Sequence, residues 1–431
     1  LAAALTAGPP VVSPVSADPE PSAPESEPSC PGCYGEATHG RSLPDAPVAA
    51  ESPDPRFVVD HHGRVVLLRG MNVISAAKHD PEHTGGGDEA MIARLPADFG
   101  FNVARHLIFW QAIEPTQGVY DDAYLDRVRQ RLDWYAAHGV YVVPDMHQDV
   151  YGPAFGGNGA PEWATITDGL VFTPLPPGAP WWLAVADPAV QAAYRNFWDP
   201  ERGHGHLQDH YVAAWQEVAR RFADHPAVIG YDIMNEPGWA QGDLTQTIEF
   251  AKLAAETGNW RNEKLIAFTQ RVVDAIRVED ADGWIGFEPS SVVQVDIDLG
   301  DGLVGPFPGD LGPIGDPRPG APRLLYAPHL YPTELHEGGA YPEGEPYVGQ
   351  WEALRSADRD RFGGALFLGE FGAGPPTPLE DLGRFFDDVL SMADRQLAGW
   401  AYWSYDPGWW GITNPDGTEA AHASFVVRPY P

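Results

Sequence analysis

From Val65 onward, short apolar runs alternate with helical periodicity along nearly the whole chain, and this alternation constrains the fold more than any other feature. The apolar runs are Val65–Met71, Asn102–Leu107, Val140–Met146, Val228–Met234, Trp284–Phe287, Leu324–Pro328, Ala365–Leu368 and Gly399–Trp403, eight strand candidates in all. Helical spacing is predicted between them over Glu89–Phe99, Tyr124–His138, Tyr211–Asp224, Glu263–Val278 and Leu379–Arg395. In the second of these, Tyr124, Val128, Arg131, Leu132 and Tyr135 recur every three or four residues along one face. His138-Gly139 then ends it, because glycine tolerates the left-handed backbone of a helix C-terminus. Strands alternating with helices imply a parallel sheet, and eight such units imply closure into an α/β barrel of the (β/α)8 TIM type.

A chain of 431 residues, 43% of them hydrophobic, can bury a core of that size. Three segments are expected: a leader over 1–55, the catalytic barrel over 56–423, and the start of a C-terminal β-sandwich over 424–431. The leader is rich in Pro, Ser, Glu and Ala and cannot bury much apolar surface, so disorder is predicted there. Val15-Ser16-Ala17 before Asp18 has the small residues of a signal-cleavage site, which predicts a secreted protein; a Pro/Ala-rich linker is the competing reading. Cys30 and Cys33 form a CxxC without the βαβ surroundings of a redox motif, and two cysteines cannot complete a zinc site, leaving a small disulfide loop or an incidental pair. Charge is strongly acidic, with 27 Lys and Arg against 61 Asp and Glu. Such a surface repels phosphate backbones, so no nucleic-acid partner is expected.

Long Gly/Pro-rich stretches follow several strands: Gln148–Pro180, Pro237–Asn259, Pro289–Arg323 and Tyr331–Pro346. Loops after the strands build the active sites of such barrels. Two glutamates stand at those positions. Tyr231-Asp232-Ile233-Met234 leads into Asn235-Glu236-Pro237, where proline breaks the strand and leaves Glu236 at its mouth. Leu366-Phe367-Leu368 leads into Gly369-Glu370-Phe371-Gly372. A pair of carboxyls about 5–5.5 Å apart is what retaining glycosidic cleavage needs, one protonating the leaving oxygen and the other attacking the anomeric carbon. Further polar residues sit at strand ends: Arg105, able to pair with a carboxylate; His147 and Asp149, on the side of Asp145; His329 and Tyr331; and Trp403, a flat face for a sugar ring. Trp181-Trp182 and Trp409-Trp410 offer further stacking or lipid-packing surfaces. No HExxH, GxSxG, phosphate-binding loop or dinucleotide motif occurs, and neither a metal nor a cofactor is expected.

Arg105, His147, Asn235-Glu236-Pro237, His329 with Tyr331, Glu370 and Trp403 fall in an order that resembles glycoside hydrolase family 5, over roughly residues 57–427. Asp145-Met146-His147-Gln148-Asp149-Val150-Tyr151, Leu68-Arg69-Gly70-Met71-Asn72 with Lys78, and Tyr402-Trp403-Ser404-Tyr405-Asp406 resemble its endoglycoceramidase branch. The resemblance implies a retaining hydrolase that cuts between the reducing-end sugar and ceramide of a glycosphingolipid. It implies Glu236 as acid/base, its pKa raised by the neighbouring negative charge, and Glu370 as nucleophile, held ionised by Arg105 and Tyr331. It also implies substrate contacts at Lys78, Arg105, His147, Asp149, Trp182, Asn235, His329, Tyr331 and Trp403. A monomer in transient contact with a membrane or micelle surface is expected. The alternatives are another family 5 activity (endo-β-glucanase, mannanase, or steryl or ceramide β-glucosidase) and a non-catalytic glycolipid- or carbohydrate-binding protein.

Overall fold

The computed structural model describes residues 54–60, 62–294, 303–336, 338–408 and 410–427. Cys30, Cys33, the expected leader up to residue 53, and Trp409 lie outside them. The eight barrel strands are β1 (Arg69–Val73), β2 (Val103–Ile108), β3 (Tyr141–Met146), β4 (Gly230–Asp232), β5 (Trp284–Phe287), β6 (Leu324–Tyr326), β7 (Ala365–Phe371) and β8 (Gly399–Tyr402). All pair in parallel with their neighbours in chain order. Pairing of β1 with β8, Arg69 beside Trp400, closes the ring. After β6, the Ala327 N–H still donates to the Phe287 carbonyl of β5 and the Pro328 carbonyl accepts from Gly369 of β7, and a two-residue strand follows at His329–Leu330, beside Glu370 and Phe371 of β7.

The helices are α1 (Glu89–Ala97), α2 (Asp122–Ala137), α3 (Pro188–Trp198), α4 (His206–Phe222), α5 (Leu244–Thr257), α6 (Glu263–Glu279), α7 (Tyr347–Phe362) and α8 (Leu379–Gln396), besides shorter turns. Caps set their boundaries. Asp121 accepts from the Tyr124 N–H and starts α2 before the first apolar residue of the pattern. Asn262 does the same for α6 through Leu265 N–H. Three helices escape the sequence pattern. α3 opens on Asp187-Pro188, with proline in its first turn. α5, capped by Asp243, occupies most of the stretch predicted as loop over Pro237–Asn259. α7 begins straight after the loop at Pro346.

Two corrections concern strand ends. Val65 does not open β1; it makes an isolated antiparallel bridge to Val59, and the strand starts at Arg69. Of the stretch 424–431, expected to begin a strand, Ser424–Val426 lie instead in a helical turn over Ala423–Val426, whose Ala423 and Val426 are buried against the barrel's helical layer, and 428–431 lie outside the described residues.

The interior of the barrel is layered. Val103, Tyr141, Val143, Trp284, Leu325 and Phe367 form an apolar floor. Alternation along β2 and β3 puts Arg105 and Asp145 on the same side as Val103 and Val143, one step nearer the C-terminal mouth. A charged layer therefore rests directly on the floor. His106, the neighbour of Arg105, points the other way and packs edge-on to Tyr135 of α2, ring centroids 5.7 Å apart.

Candidate active site

Arg105 organises the charged layer. It is fully buried, and its guanidinium serves acceptors from five strands or their extensions. Nε donates to Asp232 Oδ2 at 2.8 Å. Nη1 donates to Asn72 Oδ1 at 2.9 Å and Glu370 Oε1 at 2.7 Å. Nη2 donates to Asn235 Oδ1 at 3.1 Å and Glu288 Oε1 at 3.0 Å, and lies 2.9 Å from Asp145 Oδ1. One cation thus faces four buried carboxylates, which is sustainable only if protons or a second cation join them. His329 is that second group. Its Nδ1 lies 2.9 Å from Glu236 Oε1 and 3.6 Å from Glu370 Oε2, and its Nε2 faces Glu288 Oε1 at 3.3 Å.

Glu236 and Glu370 arrive from opposite walls. Glu370 lies inside β7, and its other oxygen accepts from the Tyr331 hydroxyl at 2.9 Å. Glu236 follows β4 with φ of +39°, a left-handed backbone that a residue with a side chain adopts at a cost. Three bonds hold it there: its N–H donates to Glu288 Oε2 at 2.9 Å, and Gln148 Nε2 donates to the carbonyls of Asn235 and Glu236 at 2.9 and 2.8 Å. Ligand atoms of Glu236, Glu370 and His329 all lie within 4.8 Å of one another. That separation suits a carboxyl pair acting on a single anomeric carbon with retention, and is too short to hold a water between them for inversion. The trio has the spacing of a cation site as well, but Arg105 and Tyr331 already occupy both oxygens of Glu370.

Burial and neighbours divide the protons unevenly. Burial would raise the Glu236 carboxyl, but the hydrogen bond and charge of His329 outweigh it and hold the group down to about 2. This corrects the expectation that Glu236 is raised: the local field is set by the imidazolium rather than by Glu370. Glu370 is raised, burial overcoming His329 and Arg105, so Arg105 opposes the shift without reversing it. Burial also lifts Asp145 to about 6 against Arg105, and Glu288 to about 8 with the help of Asp232. His329 is raised well above the usual imidazole value, because Glu288 and Glu370 outweigh its burial. His147 is driven well below it by burial, with Lys78 adding to the effect.

A second cluster borders the pair. Lys78 Nζ lies 2.7 Å from Asp149 Oδ2 and 4.1 Å from the centre of the Trp403 ring. The His147 ring stacks on Trp403 at 5.4 Å and 15°, and its Nδ1 lies 2.6 Å from Asp145 Oδ2. Flat faces and fixed donors and acceptors of this kind fit a pyranose ring. Trp182 is not part of this buried group; it is 37% exposed on the turn Trp181–Ala186 after β3. Trp410 is buried, with its ring 6.0 Å from that of Tyr331, so it backs the site rather than presenting a face to solvent.

Within the described residues, then, Lys78, Arg105, His147, Asp149, Asn235, Glu236, His329, Tyr331, Glu370 and Trp403 converge on one mouth. The family model for cellulase, glycosyl hydrolase family 5, matches residues 59–408. The chain belongs to glycosyl hydrolase family 5. As a family 5 glycosidase it is 28% identical to endoglycoceramidase I of Rhodococcus hoagii (strain 103S), over 90% of this chain and 73% of that one. Among solved structures it is similar to endo-glycoceramidase II from Rhodococcus sp. in its ganglioside GM3 complex, at 38% identity and a TM-score of 0.75, covering 86% of this chain and 81% of that one. The lactosyl–enzyme intermediate of that protein matches at 38% identity and a TM-score of 0.72, covering 85% of this chain and 79% of that one.

Sequence reasoning passed over Asn72, Gln148 and Glu288 as site residues of this glycosidase. Asn72 and Gln148 fall inside segments that resemble the endoglycoceramidase branch, but their task, bonding backbone and guanidinium groups from distant segments, shows only in the fold. Glu288 did carry one. Trp284-Ile285-Gly286-Phe287-Glu288-Pro289 repeats the pattern of Glu236, an apolar strand ending in Glu-Pro.

Proposed function

We propose that this family 5 glycosidase is an endoglycoceramidase, releasing the intact glycan of a glycosphingolipid from ceramide with retention at the anomeric carbon. The observation that carries the reading is the close approach of Glu236 and Glu370, with Glu370 clamped by Arg105 and Tyr331. Similarity to endoglycoceramidases along most of the chain, one of them with GM3 and with a lactosyl–enzyme intermediate, supports the substrate class.

In the first step a Glu370 oxygen bonds to the anomeric carbon as the bond to the ceramide oxygen breaks. Glu236 gives its proton to that oxygen. In the free site this proton rests on His329 Nδ1, 2.9 Å from Glu236 Oε1, and it passes to Glu236 when substrate excludes water from the pair. In the second step Glu236 takes a proton from water, whose oxygen displaces Glu370 from the anomeric carbon. Arg105 and Tyr331 stabilise the carboxylate that leaves. Lys78, Asp149, His147, Asn235 and Trp403 hold the sugar.

Leu170, Val171, Trp181 and Trp182 are each exposed on the long loop after β3, with Val171 at 86%. We assign to this rim the transient contact with a membrane or micelle that brings the ceramide bond to the mouth. A single copy supplies every side chain named, in keeping with a monomer. Incubation with a ganglioside, with glucosylceramide and with a soluble β-glucan tests the reading. It expects an intact oligosaccharide and ceramide from the ganglioside. Glucan cleavage alone would mean another family 5 activity, and binding without turnover a carbohydrate-binding protein.

A further inference from the structure

The mechanism above uses two glutamates, yet a third is buried between them. Glu288 follows β5, is 1% exposed, and stands where the two halves of the site meet. Its Oε1 accepts from Arg105 Nη2 at 3.0 Å, the guanidinium that also binds Glu370. The same oxygen lies 3.3 Å from His329 Nε2, on the ring whose other nitrogen reaches Glu236. Its Oε2 accepts from the N–H of Glu236 at 2.9 Å, which secures the left-handed backbone of the acid/base. Other charged groups near it are Asp232 from β4, Asp145 from β3 and Glu370 from β7, all joined through Arg105. A carboxyl so deeply buried is costly, and apolar packing would be the ordinary content of such a place.

We propose that Glu288 is a positioning residue for the acid/base: it fixes the backbone of Glu236 and, across the imidazole of His329, keeps the catalytic proton on the His329–Glu236 pair. The inference rests on the glycosidase reading of Glu236. No bond to substrate is assigned to Glu288. Its negative charge lies on the far side of the ring from Glu236, so it favours the imidazolium and raises the pH at which the pair loses its proton. Burial raises the Glu288 carboxyl, while the facing imidazole of His329 and the Arg105 guanidinium oppose that shift and favour its charged form.

Glu288→Gln keeps the size of the side chain but removes the charge and one acceptor. The experiment compares kcat/KM on a ganglioside, whose alkoxide leaving group needs the proton, with kcat/KM on a dinitrophenyl β-lactoside, whose leaving group does not. Glu288→Gln is expected to lose about ten- to a hundredfold on the ganglioside and several-fold less on the aryl glycoside, in the manner of other supporting-shell substitutions. Its alkaline limb on the ganglioside should move to lower pH. Glu288→Asp, which keeps the charge, should restore part of that limb and serves alone if the Gln variant does not fold. Equal losses on both substrates with an unmoved profile would overturn the proposal and leave Glu288 as packing. Glu236→Gln run alongside separates the two levels: if it too showed no dependence on the leaving group, the assignment of Glu236 would fail before that of Glu288.

Discussion

Replacing Arg105 by Met should expose the electrostatic cost that the barrel interior now holds in balance. Arg105 lies among Asp145, Asp232, Glu288 and Glu370, all buried and all within 3.0 Å of a guanidinium nitrogen. Methionine fills similar volume but leaves four carboxyls without their cation. Removing one partner of a buried ion pair costs about 3–5 kcal/mol. Spread over a folded unit of roughly 370 residues, with an unfolding entropy of about 2.1 cal/mol/K per residue, that corresponds to a fall of about 4–6 °C in melting temperature. The sign with pH follows from the carboxyls. Their folded values are already raised, Asp145 to about 6 and Glu288 to about 8, and losing Arg105 raises them further. The variant therefore binds more protons folded than unfolded, and its stability falls as pH rises from about 4 toward 8 and beyond. The deficit relative to the parent should still be growing at pH 8 and should shrink toward pH 4, where the carboxyls take up protons in both states. Melting curves of the two proteins at several pH values read this directly. A deficit that is constant with pH, or an Arg105→Met variant as stable as the parent at pH 8, would refute the reasoning. Arg105→Lys keeps the charge with fewer donors and should fall between them.

Tyr331→Phe removes the hydroxyl bond to Glu370 at 2.9 Å, a charge-assisted bond worth about 1.5–3 kcal/mol; kcat/KM should drop about ten- to a hundredfold, with the acid limb of its pH profile moving to higher pH as the carboxylate loses its donor. Lys78→Met unpairs Asp149 and uncovers Trp403, and should raise KM for the glycan by about tenfold, measured by initial rates on a soluble lactoside. Val171→Ser with Trp181→Ser should weaken co-sedimentation with ganglioside-containing vesicles by at least about tenfold, since each side chain forfeits roughly 1–3 kcal/mol of apolar burial; unchanged sedimentation would detach that rim from the lipid surface.

Much of this was legible because strand and loop patterns in a parallel barrel are local. Polar residues in the C-terminal part of an apolar strand or just after it line the mouth, as Arg105 within β2, Glu370 within β7, His147 after β3 and Glu236 after β4 do. Where a helix lacks a clear apolar stripe, the reading failed: α5 hides in a stretch that looked like loop, and only its Asp243 cap and the glycine after it mark its ends. Proton placement was also illegible. A neighbouring carboxylate was expected to raise Glu236, whereas His329, 93 residues away in the chain, lowers it. His329 reaches Glu236 from a strand that pairs with Glu370 and Phe371 of β7, a contact between three distant segments. Glu288 was overlooked for a different reason: its pattern matched that of Glu236, but its meaning depends on which groups surround it.

Trapping with a 2-deoxy-2-fluoro-lactosyl fluoride, followed by peptide mass spectrometry, addresses the central pair most directly. A slow-leaving sugar should accumulate on the peptide that carries Glu370, and NMR of the first sugar released from an ordinary substrate should show the β-anomer. A label on Glu236 or Glu288, or release of the α-anomer with no label at all, would contradict the roles given to the two carboxylates.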